Sequence, residues 1–267
     1  MSKAEKASPF FKRPVITHTF EAKTFTAVLY DNSEKARGSP VLVGFPNIGL
    51  TPILTVNFLI ESLELPLIGN IKAKDSPPVV VISTEGIPSG AIRIYGNDKL
   101  TVICSEMKVE GNMKHLVQAI IKIVHHLDSS MIWCVEGVGV EKVDKIEREE
   151  MQYLTSNAEL GKELQTLGHK PFSDAMIAGV TGGLLAETAV SEEKFDTTVI
   201  LVPTSALYPD ALSSVIAIRL LSKIHNWDSD VSKLEQSAHE VEGKVRELLD
   251  TSLRRSGSSW TAGHMFS

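Results

Sequence analysis

Short runs of apolar residues recur along the chain, separated by longer stretches in which apolar residues return every three or four positions. Several runs are almost continuous Val, Ile and Leu, which is typical of central strands covered on both faces. The three-to-four spacing predicts helices. The predicted strands are 15–20, 25–30, 41–45, 67–71, 79–83, 91–95, 100–105, 131–135, 176–178 and 198–202, and the predicted helices are 52–63, 113–127, 147–167, 183–189, 211–224 and 230–253.

This alternation of strands and helices predicts an α/β fold. We expect a three-layer α/β/α sandwich with a mostly parallel central sheet, to which the strands between residues 67 and 105 add an antiparallel part. Hydrophobic residues make up 43% of the 267 positions, enough for a sizeable core. We expect a flexible N-terminus at 1–13, a single α/β domain at 14–255 and a flexible C-terminal tail at 256–267.

Charge and cysteine content narrow the classes of partner. The net charge of −6 gives no general attraction to nucleic acid or to anionic lipid. A helix that crosses a membrane needs about 20 consecutive apolar residues, and no apolar stretch in the sequence approaches that length. Cys104 and Cys134 lie in strand-like runs and favour a reducing cytosol over a disulfide framework. We therefore expect a soluble, cytoplasmic protein that binds neither nucleic acid nor membrane.

The segment GFPNIGL, residues 44–50, connects a predicted strand to a predicted helix. Gly44 ends the strand, and Gly49 precedes Thr51 and Pro52, which suit an N-cap and a first helical position. The spacing fits neither the dinucleotide fingerprint nor the P-loop. Pro46 and Pro52 also lack the backbone N–H groups that a phosphate would use. We interpret the segment as a tight turn, with phosphate binding as the weaker alternative.

Two glutamates, Glu85 and Glu136, follow predicted strands at their carboxyl ends, where open α/β sheets bind ligands. Either could serve as an acid, a base or a metal ligand, although a glutamate beside a turn is more often solvated. Together with Gly44, Asn47 and Gly49 they form what we call the ligand corner. The eight histidines show no metal-binding spacing, and no nucleophile motif occurs. The sequence therefore predicts no catalytic set, no metal and no cofactor.

Two predicted helices carry unusual apolar surfaces. The helix at 52–63 is apolar on almost every side, so it must be buried in the core or in a subunit contact. The helix at 230–253 carries a two-position heptad seam, which suits either docking on its own domain or packing against another helix or subunit. The seam consists of Val231, Leu234, Ala238, Val241, Val245 and Leu248. Because large apolar patches seldom stay exposed on monomers, the two helices predict a homo-oligomer.

The chain ends in SGSSWTAGHMFS, whose glycines and serines predict flexibility. Its final residues, Met265, Phe266 and Ser267, resemble the hydrophobic–tyrosine–any-residue triplet with which proteasome activators and assembly factors dock between α-ring subunits of the 20S proteasome. Phe266 stands where that triplet has tyrosine. The change removes a hydroxyl whose hydrogen bond would contribute about 1 kcal/mol.

Three stretches carry a wider resemblance: GFPNIGL, GVTGGLLAETA, and the long segment that begins PTSALYPDALSS. They resemble, in the same order, the signatures of the archaeal branch of the proteasome assembly chaperone family, over roughly residues 38–250. The resemblance implies a fold akin to nucleoside phosphorylases, self-association, no established catalytic reaction, and binding of proteasome α subunits through the tail.

The leading prediction is therefore an ATP-independent proteasome assembly chaperone or activator that is not an enzyme. It acts as a homo-oligomer and binds 20S α subunits through Met265, Phe266 and Ser267. One alternative is a small-molecule enzyme, resembling phosphorylases, hydrolases or ATP-grasp proteins, with a site at the carboxyl edge of the sheet. Another is a scaffold for partners other than the proteasome.

Overall fold

A computed structural model of the chain describes residues 14–74, 79–82, 88–109, 112–140, 146–173, 176–190, 195–240 and 243. The helices in these ranges are α1 (Thr51–Ser62), α2 (Met113–His126), α3 (Ala158–Thr166), α4 (Gly179–Val190) and α5 (Ala211–His225), followed by a helical stretch at 232–240. The strands are β1 (Ile16–Ala22), β2 (Phe25–Tyr30), β3 (Val41–Gly44), β4 (Leu67–Ala73), β5 (Val80–Ile82), β6 (Pro88–Gly90), β7 (Ile92–Gly96), β8 (Thr101–Cys104), β9 (Met131–Val140), β10 (Gln152–Thr155), β11 (Lys170–Pro171) and β12 (Asp196–Ser205).

Within the described residues, ten strands form one sheet in the order β1-β2-β4-β7-β8-β3-β9-β12-β10-β11, and β5 pairs with β6 separately. The adjacent strands β8, β3, β9 and β12 run parallel. The expectation of a mostly parallel sheet is nevertheless wrong, since five of the nine neighbouring pairs in this sheet are antiparallel. Antiparallel neighbours need only short connections, as between β1 and β2 and between β7 and β8. The likeness to nucleoside phosphorylases stays a prediction.

Helices cover both faces of the sheet, as the sequence predicts. On β3, Val41 and Val43 point into one apolar cluster, and Leu42 points into the other. Alternate residues of a strand face opposite sides, so each central strand contributes to two cores. The first core is closed by α2 and α4, and the second by α1, α3 and α5. Two layers of helices therefore enclose the sheet.

The helix α1 and the described part of the predicted helix at 230–253 pack inside their own domain. Val56 and Leu59 of α1 are buried in the second core, where α1 contacts α5, β3 and β9. Val231 belongs to the same core and Leu234 packs against it. Glu235 pairs with Arg219 of α5 at 2.5 Å. The first half of the heptad seam thus docks on its own domain; Val241, Val245 and Leu248 lie outside the described residues.

Two predicted elements are wrong. The predicted helix at 147–167 contains strand β10, which pairs with β12, and the helix α3 starts only after Asn157. The Asn157 side chain accepts a hydrogen bond from Leu160 N at 2.9 Å and caps that helix. The predicted strand at 176–178 is irregular, and α4 begins directly after it at Gly179. Tertiary pairing at the sheet edge overrides the helical spacing of residues 152–155.

None of the helices in the described ranges is both long enough and apolar enough to cross a membrane.

Candidate functional site

The turn at GFPNIGL is closely packed. A Cβ atom on Gly44 would lie 2.5 Å from Cγ1 of Val56, so α1 packs directly on the end of β3. Gly49 has a φ of +66°, and a Cβ there would lie 2.2 Å from Oγ1 of Thr204 on β12. Its carbonyl accepts a hydrogen bond from Asp210 N at 2.7 Å. The packing agrees with the interpretation of a tight turn and leaves no space for a side chain at Gly49.

The start of α1 differs in detail from the prediction. Leu50, in the left-handed region at φ 52°, occupies the N-cap position, and Thr51 is the first helical residue. The Thr51 hydroxyl lies 3.0 Å from that of Thr204, and both residues are buried. The predicted N-cap role of Thr51 is therefore wrong, because its side chain bonds to β12 instead of the helix amides.

The structure brings Asn47 and Glu136 of the ligand corner together. Asn47 Nδ2 donates to one carboxylate oxygen of Glu136, and the Thr181 hydroxyl on α4 donates to the other. Burial raises the pKa of Glu136, and these two donors counteract the rise. Glu85 lies outside the described residues. Glu136 lies within β9, which extends to Val140, and does not follow the strand as the sequence predicted. It links the first sequence motif to the second, which contains Thr181.

The third motif joins the same edge of the sheet through Asp210, whose side chain is 1% exposed. Its carboxylate caps α5 through Ser213 N at 3.1 Å and accepts from Ser205 N at 2.9 Å. Arg148 donates from Nε at 3.1 Å and from Nη2 at 3.0 Å. Burial alone would raise the pKa of Asp210, but the hydrogen bonds from Arg148 and the two amides lower it.

All three motifs that carry the resemblance thus meet at the carboxyl edge of the parallel strands. The first motif bonds to the third through Gly49 and Asp210, and it reaches the second through Glu136. Sequence reasoning missed Arg148, because a lone arginine in a predicted helix gives no signal of a partner 62 positions away. The arrangement fixes the loops at this edge. The carboxylates of Glu136 and Asp210 are both occupied by protein donors.

Two open grooves lie beside this edge. One, of ≈ 470 Å³, lies between residues 146–150, α5 and the helical stretch at 232–240. The other, of ≈ 480 Å³, is lined by three glutamates, Glu147, Glu149 and Glu150, and by Lys170. Neither groove is lined by Gly44, Asn47, Gly49 or Glu136. The grooves are therefore separate from the ligand corner.

The two cysteines are free and fully buried within the cores. Burial raises the pKa of Cys104 to about 12 and raises that of Cys134 as well. Because the thiolate is the reactive form, both are inert packing residues in this environment.

The structure also shows a second polar cluster, which could hold a metal ion and which the sequence analysis did not find. His18 on β1, Glu34 in the turn Ser33–Ala36 and His126 at the end of α2 place their potential ligand atoms within 4.8 Å of one another. Burial lowers the pKa of His126, with His18 and Arg37 adding to the effect. The members lie far apart in the chain, so no spacing in the sequence could have shown the cluster.

Comparison with known proteins shows similarity over most of the chain. The structure of PbaA from Pyrococcus furiosus, an archaeal homologue of proteasome-assembly chaperone, superposes with a TM-score of 0.74 and 22% identity, covering 91% of this chain and 100% of PbaA. PbaB from the same organism, an archaeal proteasome activator, gives a TM-score of 0.71 and 16% identity over 85% of this chain and 99% of PbaB. An uncharacterized protein of Methanocaldococcus jannaschii is 22% identical over 220 residues, 82% of this chain and 89% of that protein.

The decisive similarity is at the level of the family, and it confirms the resemblance drawn from the three motifs. Residues 41–249, which include all three of them, match the family model described as PAC2 family. Because this match spans well over half of the chain, the protein belongs to the PAC2 family.

Proposed function

We propose that the protein is an ATP-independent chaperone or activator of the 20S proteasome, which acts in the cytoplasm as a homo-oligomer and binds α subunits through its C-terminal tail. The observation that carries the proposal is the family match over residues 41–249. The structural likeness to both PbaA and PbaB adds support, since one is described as an assembly-chaperone homologue and the other as an activator.

The proposed anchor is the triplet Met265, Phe266 and Ser267, at the end of the segment from residue 256 for which the sequence predicts flexibility. These residues lie outside the described ranges. Phe266 enters a pocket between two α subunits, Met265 packs at the rim, and the carboxylate of Ser267 meets a cationic side chain. Burying one phenylalanine contributes only about 1.5–3 kcal/mol. Several tails on one oligomer raise the avidity by about 10²–10⁴.

The rival hypothesis of a small-molecule enzyme loses support at the ligand corner. Its best candidate, Glu136, accepts hydrogen bonds from Asn47 and Thr181, and the backbone at Gly49 is packed against Thr204. A general acid or base needs a free position beside it for the substrate. The geometry favours a role in holding the loops together.

Tail deletion tests the proposed anchor. Purified α rings are immobilised, and binding of the full-length protein is compared with that of a variant lacking residues 265–267. We expect the deletion to abolish binding while mass and thermal unfolding stay unchanged, since the tail contributes contacts only in the complex. Phe266→Tyr should bind at least as tightly, because the phenol adds a hydrogen bond.

A matched control adds one glycine after Ser267, which keeps the tail composition but displaces the terminal carboxylate. This variant should bind more weakly than the natural chain. If the deletion variant binds α rings as well as the full-length protein, the tail is not the anchor. If neither the full-length protein nor the deletion variant binds α rings, the proposed function is wrong. A scaffold for other partners then becomes the better explanation.

A further inference from the structure

Three side chains from distant parts of the chain converge beside β1, the edge strand of the sheet. His18 lies on β1, Glu34 lies in the turn Ser33–Ala36, and His126 is the last residue of α2. The centroids of the two imidazole rings are 4.0 Å apart. All three potential ligand atoms lie within 4.8 Å of one another.

The hydrogen bonds of His18 set its tautomer. The Thr17 hydroxyl lies 3.1 Å from the backbone carbonyl of Tyr30, to which it donates its only proton. The same oxygen lies 3.1 Å from Nδ1 of His18, so it accepts the Nδ1 proton. The lone pair of the neutral ring is then on Nε2. A histidine oriented in this way by a second group is typical of metal ligands.

His126 offers a nitrogen that no other group uses. Its Nε2 is buried and makes no hydrogen bond within the described residues. A buried polar atom without a partner is costly and calls for an explanation. Glu34 Oε1 lies 4.0 Å from this Nε2 atom, which is too far for a hydrogen bond. The Phe20 ring, with its centroid 5.3 Å from that of His126, supports the imidazole from the side.

We propose that His18, Glu34 and His126 bind a divalent transition metal ion, of which Zn²⁺ fits the donor set best. Imidazole and carboxylate ligands suit Zn²⁺ at about 2.0–2.2 Å, and two such ligands around a tetrahedral ion lie about 3.4 Å apart. The observed 4.0 Å between His126 Nε2 and Glu34 Oε1 is somewhat longer. The Glu34 side chain is 58% exposed and can close that difference by rotating.

Charges around the cluster favour a cation. Glu34 and Asp128 are both acidic, and Arg37 pairs with Asp128 and lies 3.7 Å from the second oxygen of Glu34. Arg37 also helps to lower the pKa of His126, but the two carboxylates outnumber this one guanidinium. Because Glu34 faces solvent, a fourth position on the metal is open to water, as in three-ligand zinc sites.

Metal binding would fasten the edge strand β1 to the end of α2 and to the turn between β2 and β3. A ligand that binds only the folded protein stabilises it by mass action. The ion thus has a measurable effect on unfolding that does not depend on any proteasome partner.

The test uses the full-length protein, freed of metal with a chelator and then titrated with Co²⁺, whose visible absorption reports ordered ligands. We expect one Co²⁺ per chain, displaced by Zn²⁺. His18→Gln and His126→Gln should each weaken binding by about tenfold or more. Glu34→Gln, whose side chain is mostly exposed, should weaken binding too while changing the stability of the metal-free protein little. The matched control is His125→Gln, since His125 precedes His126 on α2 but packs against Phe195 with ring centroids 5.8 Å apart.

Thermal unfolding gives a second readout. Zn²⁺ should raise the midpoint of the natural chain and of His125→Gln, and leave that of Glu34→Gln and of the double variant His18→Gln/His126→Gln nearly unchanged. The metal site is refuted if the natural chain shows no Co²⁺ absorption. It is refuted equally if Glu34→Gln and the double variant bind Co²⁺ as tightly as the natural chain, since the ligands would then lie elsewhere.

Discussion

Gly49 shows at the scale of one residue why the GFPNIGL turn takes this sequence. Its φ of +66° is in the left-handed region that favours glycine, and Thr204 leaves no room for a side chain. Gly38 has a similar φ of +75°, but nothing lies within 4 Å of the position of its Cβ. Comparing substitutions at the two glycines therefore separates the energetic cost of backbone strain from that of a steric clash.

We expect Gly49→Ala to lower the free energy of unfolding by about 2–4 kcal/mol, combining the left-handed strain with overpacking against Thr204. Gly38→Ala should cost only about 1 kcal/mol, from strain alone. Urea unfolding of both variants measures the difference. Equal losses in the two variants would show that the turn is not packed against β12 as described.

The environment of Asp210 should make the stability of the protein depend on pH. Its pKa is lowered in the folded protein, so it stabilises the fold above the unfolded pKa of about 3.9, and this contribution is lost as the pH falls towards the folded pKa. Asp210→Asn keeps the helix cap but removes the charge paired with Arg148. We expect a loss of about 3 kcal/mol at pH 7 that shrinks as the pH falls below 4.

Urea unfolding of the natural chain and of Asp210→Asn at a series of pH values measures this loss. Asp98→Asn, at an exposed turn position, serves as the control and should change little at any pH. A loss for Asp210→Asn that stays constant from neutral to acid pH would contradict the assigned ion pair.

At the scale of elements, α1 is the helix whose environment the sequence left open. Its buried side chains lie in the second core, between the sheet and α5, while Leu54, Phe58 and Ile60 are half-buried. The structure thus uses its apolar surface within one chain, and α1 no longer supports self-association.

Leu59→Ala should lower the free energy of unfolding by about 2–5 kcal/mol, because Leu59 is fully buried and its loss leaves a cavity. Ile60→Ala, one residue further on the half-buried side, should cost clearly less. Chemical unfolding gives the stabilities and light scattering the mass, which should change in neither variant. A lower mass for Leu59→Ala with an unaltered monomer stability would place α1 in a subunit contact instead.

At the scale of the whole molecule, other apolar surface remains exposed. Val80 and Ile82 on β5 are 55% and 58% exposed, and Val15 and Ile16 are exposed at the edge of the sheet. An edge strand has unpaired backbone groups that can pair with another chain. These residues, and not α1, now support the proposed homo-oligomer.

We expect light scattering at micromolar concentration to give a multiple of the 29.1 kDa chain mass. Burying the exposed valines and isoleucines in a subunit contact provides the driving force. A mass near that of one chain would refute self-association, and with it the avidity that several weak tails are proposed to supply.

Local sequence determined many of the elements themselves. The predicted strand 25–30 is β2, and the predicted helices 113–127 and 211–224 match α2 and α5 to within a residue. The three motifs were also sufficient to identify the family. These features depend on apolar spacing and capping over a few neighbouring residues, which the chain displays directly.

Only the tertiary structure decided which strands pair, in which direction, and which polar groups meet. The helical spacing at 152–155 gave way to pairing with β12, and half of the sheet proved antiparallel. The pair of Arg148 with Asp210 and the cluster of His18, Glu34 and His126 join residues that are distant in the chain. Long-range pairing and burial set these contacts, and no local pattern encodes the partner of a strand or of a charged side chain.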